Sequence, residues 1–122
     1  MIIPQNQRRE HNRLSISLPV AVERFNMKNY NEPIEGQTIN MSNGGMCLLT
    51  VSEDIGINEK VTLSFDIGDI ETVEGVVLRT ETADDGIYRH KISVQFAFKM
   101  PQQKQRLYKF LEERQLREGG NA

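Results

Sequence analysis

Cysteine, histidine and tryptophan are scarce in this chain of 122 residues, which has one, two and none of them respectively. The single cysteine, Cys47, cannot form a disulfide within the chain, and its apolar neighbours predict a buried structural thiol. One cysteine and two histidines also cannot supply a zinc site of the usual type. The sequence has no GxSxG, HExxH or P-loop motif, so we expect neither a metal centre nor catalytic activity.

Long apolar runs are missing as well. No stretch approaches the ~18 apolar residues that a membrane-spanning helix needs. The segment Ile2-Ile3-Pro4 is far too short for the apolar region of a signal peptide. The length suits one domain with its own core. We therefore expect a single soluble domain in the cytoplasm, with no insertion into a membrane.

Charge is unevenly distributed along the chain, although the net charge is only −2. Residues 1–13 carry a net charge of +2, residues 14–98 carry −7, and residues 99–122 carry +3. An acidic body with eight aromatic residues and no tryptophan disfavours general binding of DNA or RNA, which needs a basic groove and stacking platforms. The positive charge at the two ends of the chain is better suited to a small anion.

The sequence predicts six strands between residues 14 and 98, three of them from alternating apolar and polar residues and three from short runs between turn signals. Pro19 has no N–H to donate, so we expect an edge or a bulge there, and Gly75 predicts a bulge or bend. Residues 26–35 read as a loop, and hairpin turns are expected at 42–45, 68–69 and 83–86. The expected strands are 14–22, 37–41, 46–50, 61–67, 71–80 and 90–98.

The last part of the chain has helical rather than strand periodicity. Leu107, Phe110, Leu111 and Leu116 recur at helical spacing between residues 102 and 117. Pro101 suits the first position of a helix, and Gly119-Gly120 would end it. The apolar stripe indicates packing against the strands, or alternatively a surface for a dimer or a partner. Six short strands and a terminal helix are typical of a barrel or a sandwich.

Two short motifs stand out against this background. Arg8, Arg9 and Arg13 form an RRxxxR pattern within residues 1–13, which are polar and read as a flexible arm. Asn40 begins an NxSxxG pattern 27 residues after Arg13, at the turn between the second and third strands. Taken alone, the first motif is explained by a solvated basic arm and the second by ordinary turn chemistry. Their occurrence together, in this order, is much harder to explain by chance.

The motif pair resembles the two ligand-binding signatures of the PilZ domain, the bacterial receptor module for cyclic di-GMP (c-di-GMP). The resemblance covers about residues 8–100, including Gly75–Arg79 and Ile92–Phe96, which look like later strands of that family. It implies an all-β fold: a six-stranded antiparallel β-barrel over residues 14–100, with a C-terminal helix at 101–118 and the flexible arm at 1–13.

The resemblance also implies a set of ligand-binding residues. Arginine can bond a phosphate or the O6/N7 edge of guanine through its planar fork, and Asn and Ser can accept from guanine N–H groups. Asn40 stands where many family members have Asp, so it brings no charge. Gly45 is expected to allow close approach of the ligand and a positive φ. The expected residues are Arg8, Arg9, Arg13, Asn40, Ser42, Gly44, Gly45 and Arg79.

Three of the neighbouring residues leave alternatives open. Arg79 either reaches the ligand or pairs with an acidic neighbour. His11 is either a solvated spacer or a ligand contact, and His90 is expected at the rim or inside of the barrel. In this family an arginine at the position of Arg8 accompanies binding of a stacked pair of ligands, which we adopt as a secondary expectation.

The leading hypothesis is therefore a c-di-GMP receptor that transmits its signal to a protein partner when the Arg8–Arg13 arm orders across the ligand. The alternative is an adaptor that acts by protein contact alone, in motility or pilus function, without a nucleotide. No cofactor other than the ligand is expected. We expect the chain to be a monomer or a ligand-linked dimer, and flagellar, pilus, exopolysaccharide (biofilm) and transcriptional outputs all stay open.

Overall fold

The computed structural model describes residues 13–25, 33–52 and 54–120, with side chains up to residue 116. Within these residues the chain forms seven strands and one helix. The elements are β1 (Leu14–Ser15), β2 (Pro19–Arg24), β3 (Ile34–Met41), β4 (Gly45–Thr50), β5 (Lys60–Asp66), β6 (Ile70–Asp85), β7 (Tyr88–Ala97) and α1 (Pro101–Gly120).

Six of the strands close into an antiparallel barrel. Neighbouring strands follow the order β3-β2-β5-β6-β7-β4, and β4 pairs back onto β3 to complete the ring. The short strand β1 also pairs with β3 and is an addition to the barrel. The predicted six-stranded barrel with a C-terminal helix is thus confirmed.

The first predicted strand, 14–22, is interrupted between β1 and β2, although both parts lie along β3. The hydroxyl of Thr38 fills the gap: it accepts a hydrogen bond from the Leu18 N–H at 2.8 Å and donates one to the Ile16 carbonyl. Thr38 is buried, so water cannot bond these two backbone groups. The Thr38 hydroxyl takes the place of the missing hydrogen bonds between strands. The irregularity predicted near Pro19 is therefore present, in the three residues that precede it.

Two other strand predictions need correction. Gly75 does not mark a bulge, since it pairs in register with Val61 and Phe96. Its hydrogen side chain instead lets β6 and β7 approach, because a Cβ there would lie 2.5 Å from a methyl group of Val94. The β6–β7 hairpin is also longer than predicted: its turn falls at Gly86-Ile87, where Gly86 has a φ of 67°.

The core consists of side chains that point into the barrel, closed at one end by α1. Leu107 and Leu111 of the helix are buried in this core, which confirms the predicted packing stripe, whereas Leu116 is exposed. Arg106 holds the helix to β6 through an ion pair with the buried Glu71, and Gln103 donates to the Thr72 carbonyl at 2.8 Å. Glu71 raises the pKa of Arg106 further through its hydrogen bond.

The connection between β4 and β5 is attached to β2 by a charged cluster. Arg24 pairs with Glu59 and with Asp54, whose carboxylate lies 3.0 Å from the Arg24 Nη1. Hydrogen bonds from Ser52 and then Arg24 hold the pKa of Asp54 below its usual value. Burial raises the pKa of Glu59, but hydrogen bonds from Arg24 and the Gly56 N–H outweigh burial, so that the pKa is lowered overall.

Thr38→Val is expected to destabilise the barrel by about 1–3 kcal/mol, because it leaves the Leu18 N–H and the Ile16 carbonyl unpaired in a buried position. Thr82→Val is the matched control, since Thr82 is an exposed β6 residue. Urea unfolding measures both free energies. A Thr38→Val variant as stable as the control would contradict this account of the interruption.

Arg24→Met is expected to destabilise the protein most at neutral pH. The lowered pKa values of Asp54 and Glu59 mean that their stabilisation is complete above the unfolded-state pKa, about 4, and is lost as pH falls through the folded-state values. The difference in free energy of unfolding between wild type and variant should therefore shrink from pH 7 to pH 3. The exposed Arg89→Met variant should show no such pH-dependent difference.

Candidate functional site

Two β-bulges decide which side chains of β3 and β6 face outward. On β3, Gly36 and Thr38 face the core, and simple alternation would send Asn40 there too. The register against β4 shifts between Thr38 and Asn40, so Ile39 is an extra residue and Met41 takes the buried position. Asn40 consequently lies on the outer face of the barrel.

A second bulge has the same effect on β6. Val73 and Val77 are buried, so alternation would send Arg79 into the core. The register against β7 shifts between Val77 and Arg79, which makes Leu78 the extra residue. Both Leu78 and Arg79 are exposed as a result. Bulges are common beside functional sites because they redirect a side chain without breaking the sheet.

Asn40 and Arg79, which directly follow the two bulges, are the ends of one continuous row across four strands. Asn40 pairs with Cys47, Cys47 with Ser93, and Ser93 with Arg79. Three steps between neighbouring strands separate Asn40 from Arg79 by about 14 Å along the sheet surface. Cys47 and Ser93 are small, so the middle of the row is lower than its ends.

A cavity of about 460 Å³ lies on this outer face, within the range of small-molecule sites, ~300–1,000 Å³. It is bounded by β3, β4, β6 and β7, by the turn between β3 and β4, and by Arg13 just before β1. Its lining residues are Arg13, Asn40, Ser42, Gly44, Gly45, Met46, Cys47, Leu78, Arg79, Glu81, Lys91, Ser93, Val94 and Gln95.

The turn between β3 and β4 is held by its own backbone and by Ser42. The Ser42 N–H donates to the Gly45 carbonyl at 2.8 Å, and the Ser42 hydroxyl accepts from the Gly44 N–H at 3.3 Å. The Gly44 carbonyl in turn accepts from the Phe96 N–H at 2.8 Å. Ser42 therefore shapes the turn and also lines the cavity.

Gly45 is required by the packing of β4 against β7. A Cβ on Gly45 would lie 2.2 Å from the Val94 carbonyl oxygen, whereas one on Gly44 would meet nothing within 4 Å. Positive φ was expected at this double glycine, and that expectation is wrong: among the described glycines, only Gly68 and Gly86 adopt it. The glycine permits close approach of two strands rather than a left-handed turn.

Positive charge predominates in the cavity. Arg13, Arg79 and Lys91 supply three cations, and Glu81 supplies the one carboxylate among the described lining residues. Lys91 and Glu81 lie 3.7 Å apart, whereas neither Arg13 nor Arg79 forms an ion pair with any residue that the structure describes. The site is thus suited to an anionic ligand.

Six of the eight residues expected from the sequence line this one cavity: Arg13, Asn40, Ser42, Gly44, Gly45 and Arg79. Arg8, Arg9 and His11 lie outside the described residues. His90 is half-buried, with its Nε2 atom 3.3 Å from the Ile55 carbonyl oxygen. Cys47 is buried as predicted, but it faces the cavity floor rather than the core.

Sequence reasoning missed Leu78, Glu81, Lys91, Ser93 and Gln95 as lining residues. The signal for the last three was their shared parity on β7, which sets them on the polar face beside the second motif. No group of three acidic, histidine or cysteine side chains able to hold a metal occurs in the described part of the chain. Within those ranges no helix is long and apolar enough to cross a membrane.

The family model for the PilZ domain matches residues 7–113, so the chain belongs to the PilZ domain family. The match includes both motifs, all seven strands and most of α1. A search of curated proteins found no significant match.

Solved structures show the same fold. K. pneumonia MrkH in its apo state aligns with a TM-score of 0.72 at 19% identity, over 91% of this chain and 52% of MrkH. The PilZ domain of Escherichia coli YcgR with c-di-GMP aligns at 0.67 and 15% identity, over 90% and 95% of the two chains. Bacillus subtilis MotI/DgrA, an inhibitor of motility, aligns at 0.67 and 20% identity, over 86% and 50%. This chain therefore spans about half the length of MrkH and MotI.

Gly45→Ala is expected to destabilise the protein by about 2 kcal/mol or more, because β4 and β7 must separate to admit the methyl group. Gly44→Ala is the matched control and should change stability by less than about 0.5 kcal/mol. Thermal unfolding without ligand compares the two. Equal effects would show that Gly45 is not needed for the contact with Val94.

Proposed function

We propose that this chain is a receptor that binds c-di-GMP in the cavity on the outer face of β3, β4, β6 and β7. One observation carries the proposal. Arg13 from the first motif, Asn40, Ser42, Gly44 and Gly45 from the second, and Arg79 from β6 all line the same cavity. These segments are far apart in sequence, and neither motif alone distinguishes a ligand site from an ordinary arm or turn.

The chemistry of the cavity suits this ligand. Two guanines and two phosphodiesters give c-di-GMP both flat faces and two negative charges. Three cationic side chains and one carboxylate leave the described lining with a net charge that opposes the ligand's. Arg13 and Arg79 can each bond a phosphate or the O6/N7 edge of guanine, and the Asn40 carbonyl oxygen can accept from guanine N–H groups.

The relatives lend support at the level of the fold. A complex of MrkH with c-di-GMP has been solved, as has the YcgR domain with the same ligand. Their identities to this chain are 20% and 15%, so residue roles cannot be transferred from them by alignment alone. The argument for binding by this chain therefore depends on its own cavity and motifs.

The arm before β1 is the second part of the proposal. Arg13 is at the boundary between the arm and the barrel, and it already lines the cavity. Arg9 and Arg8 precede it by four and five residues, close enough for their side chains to close over a ligand held at Arg13. Ordering of the arm would convert occupancy of the cavity into a changed surface. Arg8 additionally favours a stacked pair of ligands over a single one.

We further propose that the changed surface acts on a protein partner. The related structures indicate diverse outputs, since MotI is an inhibitor of motility and MrkH is a c-di-GMP-dependent transcription regulatory factor. This chain matches about half of each, so its own output is a separate question from its ligand. An adaptor without nucleotide remains the alternative function, and the titration below distinguishes the two.

Isothermal titration of the purified chain with c-di-GMP, with GTP as the control, is expected to show saturable and selective binding. Arg9→Ala/Arg13→Ala should weaken binding by about a hundredfold, because two charge-assisted contacts are lost. Arg89→Ala is the matched control, since Arg89 is exposed on β7 and does not line the cavity. Its affinity should equal that of wild type.

The fitted stoichiometry then decides between one ligand and a stacked pair for each chain. Sedimentation velocity with and without ligand reports whether the ligand links two chains. If the double variant binds as tightly as wild type, the motif arginines do not hold the ligand. If wild type does not bind c-di-GMP at all, the receptor proposal fails and the adaptor alternative takes its place.

A further inference from the structure

The outer face of the barrel has a second row of side chains beside the row that joins Asn40 to Arg79. Leu49 on β4 pairs with Lys91 on β7, and Lys91 pairs with Glu81 on β6. Glu81 is two residues after Arg79 on the same strand, about 6.6 Å further along it. Because both residues follow the β6 bulge, Glu81 shares the outward direction of Arg79.

A carboxylate in a cavity that takes an anion requires an explanation. Glu81 is the one acidic side chain among the described lining residues, and it opposes the three cations there. A negative charge beside two phosphodiesters costs affinity unless the carboxylate has a contact of its own with the ligand. Most of the chain's other acidic residues are spread over turns and strand faces outside the cavity.

The ion pair with Lys91 does not account for Glu81. The Lys91 Nζ atom is 3.7 Å from the carboxylate, beyond hydrogen-bond distance, and the two side chains are 38% and 50% exposed. Exposed pairs of this kind contribute little to stability. Both groups are therefore available to a ligand, the ammonium to a phosphate and the carboxylate to hydrogen-bond donors.

The donors that suit a carboxylate are those of guanine. Its Watson–Crick edge presents N1–H and N2–H₂ side by side, and a carboxylate can accept from both at once. Asn40 can offer only one acceptor oxygen, because the other end of its amide is a donor. Adenine places an acceptor nitrogen where guanine has N1–H, so a carboxylate at that edge would repel it.

We propose that Glu81 is a specificity-determining residue, which accepts hydrogen bonds from a guanine edge and selects cyclic dinucleotides with guanine over those with adenine. This inference rests on the proposed function and adds to it the residue that reads the base. Lys91, which lines the same cavity beside Glu81, then serves as a phosphate contact.

The test compares c-di-GMP with cyclic di-AMP by isothermal titration, on wild type and on Glu81→Gln. The two ligands carry the same charge, so a purely electrostatic role of Glu81 changes both affinities equally and leaves their ratio unchanged. A base-reading role lowers the affinity for c-di-GMP and leaves that for cyclic di-AMP the same or higher. In Glu81→Gln we expect the ratio of the affinity for c-di-GMP to the affinity for cyclic di-AMP to fall by about tenfold or more.

Glu74→Gln is the matched control. Glu74 is on the same strand and is also paired with a lysine, with its carboxylate 2.9 Å from the Lys99 Nζ, but it does not line the cavity. The Glu74→Gln variant should have the same ratio of affinities for c-di-GMP and cyclic di-AMP as wild type. Glu81→Asp keeps the charge on a shorter stem and should retain part of the selectivity. Thermal unfolding of each variant checks that the barrel is intact.

The outcomes separate the two proposals. Wild-type binding of c-di-GMP with an unchanged ratio in Glu81→Gln overturns the role of Glu81 and leaves the receptor function standing. A Glu81→Gln variant that binds both dinucleotides more tightly than wild type, with the same ratio of affinities, also overturns the role of Glu81. The carboxylate would then only repel phosphate. If wild type binds neither dinucleotide, the receptor function fails and this inference fails with it.

Discussion

Closure of the strand ladder between β3 and β4 is the constraint on which the rest of the structure depends. A closed barrel leaves its six strands with hydrogen-bonded neighbours on both sides and divides every strand into an inner and an outer series of residues. The inner series is committed to the core, where Leu48, Leu63, Ile92 and others are completely buried. Whatever the domain binds must be held by the outer series or by the segments that join the strands.

The two bulges work within this constraint. Each adds one residue to one strand, so the alternation is inverted beyond it while the partner strand continues unchanged. On β3 the inversion moves Asn40 outward and gives Met41 the core position, and on β6 it moves Arg79 outward. Both changes occur on strands that flank the β4–β7 pair, so their side chains stand at the two borders of one concave surface. Gly45 brings β4 close to β7 beneath it.

The limits of sequence reasoning follow from the same geometry. Period-two alternation was sufficient to predict β5 nearly to the residue, a mostly apolar run after a turn was sufficient for β4, and helical spacing was sufficient for α1, because these elements have regular contact with one core. The alternation pattern could not reveal that Asn40 and Arg79 project from the outer face of the barrel. A bulge residue is visible in the sequence only as a change in which positions of the strand are apolar. The break at residues 16–18 depends on Thr38, at least twenty positions away, so no local pattern could reveal it.

The lining of the cavity was predictable where a motif marked it and, outside the motifs, only at Arg79. Asn40, Ser42 and Gly45 were recognised through their spacing, although the reason for Gly45 proved to be its contact with Val94. Lys91, Ser93 and Gln95 belong to no motif, and they enter the site because β7 pairs with β4. That pairing joins segments more than forty residues apart, and register over such a distance is a property of the folded barrel.

The separation of inner and outer series has a consequence for evolutionary change. Cys47, Ser93 and Glu81 point away from the packed interior, while their immediate neighbours Met46, Leu48, Ile92 and Val94 maintain it. Substitutions can therefore accumulate on the cavity-facing side of β4, β6 and β7 without a matching repair in the core. The outer face of such a barrel can therefore change at little risk to its folding, and structures at 19% and 15% identity to this chain keep the same architecture.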